Sequence, residues 1–258
     1  MSKQYDAIII GGGHNGLVCA AYLGKAGRSV LVLEAAEQLG GLGATREFAP
    51  GFRASVAHTL PQLTAKLVRE LELQRHGFQL ATGTLPTIAL GETGQHLRLT
   101  AGHVSGVSGE DLRAYHDYRQ LMQKFADAIT PFWHKRPPVI ADGSRGDLGT
   151  LAQFGWQLRR LGKTDMREMM RMIALPAQDL MDEYFDNPLL KAALSWDANV
   201  GSKLAPRSPN NAVLALLLRM SGDAADGLPL PRGGVGGLID ALASAAAASG
   251  VELRTAVP

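Results

Sequence analysis

The sequence predicts an α/β protein: a parallel nucleotide-binding sheet with helices, interrupted by a mostly helical insert that contains a β-hairpin. Three observations carry this. Two short β-branched runs bounded by glycine, Tyr5–Ile10 and Val30–Leu33, read as buried parallel strands around a compact apolar helix. Helical spacing of apolar residues then dominates the middle of the chain, and strand-and-helix texture returns after residue 228. The expected division is therefore a first nucleotide-binding segment over 1–75, the helical insert over 76–227, and a second nucleotide-binding segment over 228–258. A complete sheet of this type needs more strands than these, so the sheet is expected to be incomplete within this chain.

The elements follow in order. Leu17, Val18, Ala20, Ala21, Leu23 and Ala26 form the apolar positions of the first helix, and Gly27 stops it. Residues 35–60, rich in Gly, Ala and Pro, read as irregular. A helix is expected over Leu60–Leu73, and a hairpin from Leu85–Leu90 and His96–Thr100 around the turn Gly91–Gly94. Ser108 to Asp111 has the pattern of a capping box, which opens a long amphipathic helix running to Trp133, before Pro137 and Pro138. Further helices fit Leu148–Leu161, Asp165–Leu175, Ala177–Phe185, Pro188–Trp196, Pro209–Met220 and Gly236–Ser249, with a strand at Val251–Arg254.

Bulk properties exclude several functions. The 258 residues are 46% hydrophobic and 19% charged with net charge +2, and the cations are scattered, so there is no electrostatic case for nucleic acid. The single cysteine, Cys19, rules out an internal disulfide framework and a thiol pair of the kind disulfide reductases use, and it is expected to be a buried, inert side chain. The N-terminal stretch lacks a signal peptide's apolar core, and the longest aliphatic run, Ala212–Leu218, falls far short of the ~20 residues that span a bilayer. A cytoplasmic location is expected, with peripheral contact at a membrane left open.

The chemistry sits near the start. Gly11, Gly13 and Gly16 have the GxGxxG spacing directly after a strand and at the opening of a helix, with Gly12, His14 and Asn15 between them. The first glycine permits the turn, the second lets the backbone approach a pyrophosphate, and the third lets helix and strand pack closely. Phosphates would rest on free N–H groups at the helix N-terminus. Glu34, followed by Ala35, ends the second strand at about the ~20-residue spacing expected of the acid that binds a ribose hydroxyl. The motif alone does not choose between dinucleotides. A doublet, Gly40–Gly41, and an irregular run through Leu60 follow the acid, where an NAD dehydrogenase more often continues into a regular helix and strand.

Here the resemblance becomes specific. The stretches IIIGGGHNGLVCAAYL, VLVLEA, the glycine doublet, Pro50–Phe52 and Ala57–Leu60 resemble the N-terminus of phytoene desaturase-like flavoproteins. These lie in the FAD-dependent amine oxidase and carotenoid desaturase group, and the nearest likeness is to its pyridine nucleotide-disulfide oxidoreductase domain-containing branch. Weaker likeness runs through LPRGGVGGLIDALASAAAASGVELRT and so covers nearly the whole chain, although proteins of this kind are typically about twice as long. The resemblance implies FAD as cofactor. It places Gly11, Gly13 and Gly16 on the pyrophosphate, Glu34 on the adenosine ribose, Gly40 and Gly41 near the diphosphate, and His58 and Thr59 beside the isoalloxazine. Many members carry an arginine after the doublet, where this chain has Leu42.

Other features have plainer readings. Gly233–Gly237 could be a second dinucleotide loop, but GLPLPR before it makes a poor buried strand, and a glycine turn is preferred. Met166, Met169, Met170, Met172 and Met181 could line an apolar channel, although helical spacing favours core. His58 is more readily a loop histidine than a base, and His103, His116 and His134 show no metal-ligand spacing. No catalytic residue is assigned and no metal is expected. The expected function is FAD-dependent removal of hydride from an apolar or amine-bearing small molecule, with electrons passing to oxygen or a quinone-like acceptor. One alternative is half of a split or truncated flavoprotein that needs a second chain. The other is an NAD(P)-dependent Rossmann dehydrogenase.

Overall fold

The structure is a computed structural model that describes the whole chain except residues 1–2, 58–62, 133–134, 140–143, 201–202, 204, 210–211 and 222–226. Its contacts divide into two compact units, Met1–Leu85 with Leu228–Pro258, and Pro86–Gly227.

The first unit begins with strand β1 (Ala7–Ile10), helix α1 (His14–Lys25) and strand β2 (Val30–Leu33). A 3₁₀ turn over Gly41–Gly43 leads to an antiparallel pair, β3 (Arg46–Ala49) and β4 (Phe52–Ala54). This hairpin lies where the composition reads as irregular. Its turn is Pro50–Gly51, with Gly51 at φ 79 and its amide donating to Glu47 Oε1, so local turn chemistry rather than a long alternating run specifies it. Helix α2 (Ala65–Glu70) is shorter than expected; Thr64 caps it, its hydroxyl accepting from the Leu67 amide, and Leu60 lies outside the described residues. Strand β5 (Leu80–Leu85) completes this stretch.

In the second unit, β6 (Thr87–Ala89), β7 (Leu97–Thr100) and β8 (His103–Ser105) form an antiparallel meander, so the expected hairpin gains a third strand. Among the described residues six α-helices follow: α3 (Gly109–Ile129), α4 (Arg145–Arg160), α5 (Lys163–Met172), α6 (Ala177–Tyr184), α7 (Pro188–Asn199) and α8 (Ala212–Met220). Their shared core includes Tyr118, Met122, Phe125, Met172, Leu180, Met181 and Leu217, all at most 2% exposed. Ser108 stands at the N-cap of α3 but makes no side-chain cap bond. Asp111 instead accepts the amides of Asp186 and Asn187, so a carboxylate that looks like a local cap serves the α6–α7 turn. Of the methionines, Met169, Met172 and Met181 are core, while Met170 is 52% exposed.

The chain then re-enters the first unit through β9 (Leu228–Pro231), α9 (Val235–Ala248) and β10 (Glu252–Arg254). Strand β9 pairs antiparallel with β5, a two-stranded edge position that tolerates its prolines. Strands β1, β2 and β10 form a parallel sheet with β2 central, Ala7 opposite Val30 and Glu252 opposite Leu31. Leu17, Ala20 and Ala21 of α1 pack with Leu238, Leu242 and Ala245 of α9 against Val30 and Val32. Small residues allow this: a Cβ on Gly24 would stand 2.8 Å from the Ser249 carbonyl. Ile8 and Ile10, which point away from that core, are 59% and 89% exposed. Cys19 is exposed on α1, contrary to its expected burial, because the helix turns Leu17, Ala20 and Ala21 inward and leaves position 19 on the outer side.

Candidate dinucleotide site

The site lies at the C-terminal ends of β1 and β2, where open parallel sheets bind ligands. The amide of Gly11 still donates to the Leu33 carbonyl at 2.7 Å, after which the chain leaves the sheet and turns into α1. Gly11 has φ +100, a left-handed conformation that suits glycine. Gly16 sits so close beneath this turn that a Cβ would stand 2.1 Å from the Gly11 carbonyl oxygen.

Gly13 is the N-cap of α1 and offers no side chain to the helix's first N–H groups, and the first turn holds no acid. Those donors, on and around His14, Asn15 and Gly16, are left to an external acceptor, and the helix macrodipole favours an anion there. The space outside Gly13 is open, for a Cβ there would meet nothing within 4 Å. His14 and Asn15 are exposed beside it.

Glu34 closes the other side. Its Oε1 accepts the Ala36 amide at 2.9 Å and its Oε2 the Gly12 amide at 2.7 Å. These two hydrogen bonds, with a smaller pull from Arg46, hold the carboxyl below its ordinary pKa against a partial cost of burial. A carboxylate has about four acceptor positions, so Glu34 keeps capacity for a ligand hydroxyl. Ala35 is exposed next to it.

The doublet is joined to the loop directly. The Gly40 amide donates to the Gly12 carbonyl at 2.8 Å, Gly13 and Gly40 form a parallel β-bridge, and Gly41 lies against Gly13. Gly40 has φ +120 and abuts Ile239 of α9, so no larger residue fits. The structure thus brings together Gly11, Gly12, Gly13, His14, Asn15, Gly16, Glu34, Ala35, Gly40 and Gly41. His58 and Thr59 lie outside the described residues. Sequence reasoning missed the Ala36 amide and Arg46. A tight turn directly after a strand-ending acid is the local signal for the first; nothing local signals the second.

Gly233–Gly237 shares an uncapped glycine N-cap, Gly234, with the first loop but differs from it in two respects. It follows an antiparallel strand, and a Cβ on Gly236 would stand 1.9 Å from Thr45 Oγ1. Gly236 serves packing of α9 on the segment after the doublet, Gly233 and Gly234 face open space, and the turn borders a cavity of about 360 Å³ with Arg53 and Arg232. The second unit holds a separate cavity of about 440 Å³, lined by Ile129, Phe132, Leu151, Phe154, Leu214 and Leu218 among others. Among the described lining residues the one hydroxyl, on Thr150, donates to the Gly146 carbonyl.

Strand, glycine loop, uncapped helix and strand-ending acid define a Rossmann-like NAD(P)/FAD-binding domain. Residues 9–71 match the NAD(P)-binding Rossmann-like domain family. Over 99% of its length the chain is 31% identical to the rat protein named pyridine nucleotide-disulfide oxidoreductase domain-containing protein 2, of which it covers 48%. The chain therefore spans about half the length of the curated relatives it matches. Among solved structures, an engineered putrescine oxidase aligns with 99% of this chain and 51% of its own, at TM-score 0.60 and 17% identity. Cyclohexylamine oxidase from Brevibacterium oxydans IH-35A aligns at TM-score 0.55 and 17% identity over 97% of this chain and 51% of that one. The expected resemblance to the branch and the expected fold class are both found.

Proposed function

We propose that this chain carries the dinucleotide-binding half of an FAD-dependent oxidoreductase of the desaturase or oxidase type. The observation that carries the proposal is the joined arrangement of uncapped loop, doublet and acid, in which Gly12 bonds both Glu34 and Gly40. The residues present fit such a cofactor: open backbone at Gly13 for a pyrophosphate and a carboxylate at Glu34 for a ribose. The doublet bridged to the loop and the hairpin β3–β4 after it favour FAD over NAD(P), as does the fold shared with amine oxidases.

A bound flavin would supply the hydride acceptor and the later transfer of electrons to oxygen or a quinone-like acceptor. The chain's own part is to bind and to exclude water. Amides at Gly13 to Gly16 would neutralise phosphate charge, and Glu34, held anionic, would fix the ribose. An apolar substrate is favoured over an amine by the second unit's cavity, whose lining presents apolar side chains and a hydroxyl already donated to the backbone.

The test is to purify the chain, record the absorbance band of flavin near ~450 nm, and titrate FAD and NADPH separately by calorimetry. Tight NADPH binding with no FAD binding would replace this reading with the dehydrogenase one. A second reading, that activity requires a partner chain, is favoured by the bare face of β1, since all-parallel sheets are normally covered on both sides.

A further inference from the structure

Helix α4 has two unlike faces. Inward, Leu151 and Phe154 line the apolar cavity and Leu158 packs against the core. Asp147, the sole acid of the helix, is 6% exposed and takes up the charge of Arg136. Outward, Leu148, Ala152 and Trp156 recur every four residues and so form one stripe. Leu148 is 56% exposed and Trp156 61%.

Cations bracket this stripe. Arg145 stands at the N-terminal end, Arg159 and Arg160 at the C-terminal end, and Lys163 and Arg167 follow on α5, all exposed. The acids of α5 are engaged elsewhere, Asp165 with Lys124 and Glu168 with Arg171. Arg145, Arg159, Arg160, Lys163 and Arg167 make no ion pair among the described residues.

We infer that α4 is a docking helix for an anionic bilayer surface, lying flat with Leu148 and Trp156 at the headgroup–acyl boundary and Arg145, Arg159 and Arg160 at the phosphates. Apolar and aromatic residues on one stripe with basic residues around them are the requirements of an interfacial helix. Tryptophan favours that boundary, and each basic side chain near an anionic leaflet adds attraction that falls off within a Debye length. The charge argues for lipid over an apolar protein surface, which would leave the three cations of α4 unmatched. At 16 residues the helix is too short to span a bilayer, and among the described residues no helix is long and apolar enough to do so. The inference is independent of the dinucleotide assignment.

The experiment is flotation of the full chain with phosphatidylcholine vesicles, with and without phosphatidylglycerol, at low and moderate salt. Binding is expected only with phosphatidylglycerol and is expected to weaken with salt. Arg159→Gln with Arg160→Gln should weaken it roughly thirtyfold, the loss implied for two cations at an anionic surface. Leu148→Ser with Trp156→Ser should abolish most of it with an unchanged melting temperature, because both side chains are outside the core. Trp196→Ser, exposed on α7, should have no effect. Absence of binding to anionic vesicles would overturn the inference, as would equal binding by the α4 variants. So would a dimer in sedimentation that Trp156→Ser turns into monomer, since the stripe would then be a self-interface.

Discussion

Gly12 donates its amide hydrogen to Glu34 Oε2 across 2.7 Å, tying the turn after β1 to the end of β2. The second oxygen holds Ala36 at 2.9 Å, so one carboxylate shapes both walls of the site before any ligand arrives. Glu34→Ala should cost about 1.5–3 kcal/mol, the range for hydrogen bonds to charged groups, with partial exposure favouring the lower end. Glu34→Gln keeps an acceptor and should cost less, yet lose FAD affinity comparably, because the ribose loses a charged partner. Urea titration and calorimetry with FAD measure the two separately. Unchanged FAD affinity in both variants would remove Glu34 from the site.

Two glycines of one loop should fail for different reasons. Gly13 has φ −73, ordinary for any residue, and a Cβ there meets nothing of the chain. Gly13→Ala should therefore leave stability within about 0.5 kcal/mol, as surface substitutions do, while obstructing the phosphates and lowering FAD affinity. Gly16→Ala drives a methyl into the Gly11 carbonyl, 2.1 Å away, and should destabilise the fold by about 1–3 kcal/mol. Melting curves with and without FAD distinguish these outcomes, and a destabilised Gly13→Ala would show that its outer space is filled by protein.

Acid should loosen the first unit. Glu252 on β10 is bonded by Lys3, Tyr5 and Arg254, which pull its pKa from the ordinary 4.5 down to about 2. Glu34 is lowered as well, by the Ala36 and Gly12 amides first. Both pKa values are depressed by folding, so the contribution is fully present above the unfolded value and is lost as pH falls through the folded one. For Glu252 that window runs from about 4.5 to about 2. Glu252→Gln should flatten the midpoint of urea denaturation across this range; an equally steep profile would assign the acid sensitivity elsewhere.

The bare side of β1 should be sticky. Ile8 and Ile10 are 59% and 89% exposed on an outer strand of a parallel sheet, an arrangement that templates association. Ile8→Thr with Ile10→Thr keeps β-branching and should reduce concentration-dependent association in light scattering without changing the melting temperature. If association persists, a different surface drives it.

Much of this was legible in order along the chain. The glycine loop, the strands Tyr5–Ile10 and Val30–Leu33, the acid after them and the helices from α3 to α7 follow from local periodicity and spacing, because their determinants lie within a few residues of one another. What local pattern misread depended on distant partners. Ser108 to Asp111 has the letters of a capping box, but Asp111 is taken by Asp186 and Asn187. Cys19 sits among small apolar residues, yet the direction of the helix face leaves it outside.

By itself the sequence determined a Rossmann-like βαβ unit, a run of helices in the middle of the chain and the glycine loop between the first strand and helix, since backbone freedom and side-chain period are properties of short segments. Only the tertiary structure decided that Gly40 closes on Gly12, that Gly236 packs against Thr45, and that α4 turns Leu148 and Trp156 to the surface. Those are contacts and exposures between segments far apart in the chain, and they are fixed by how packed elements exclude one another and share hydrogen-bond donors, which no local pattern encodes.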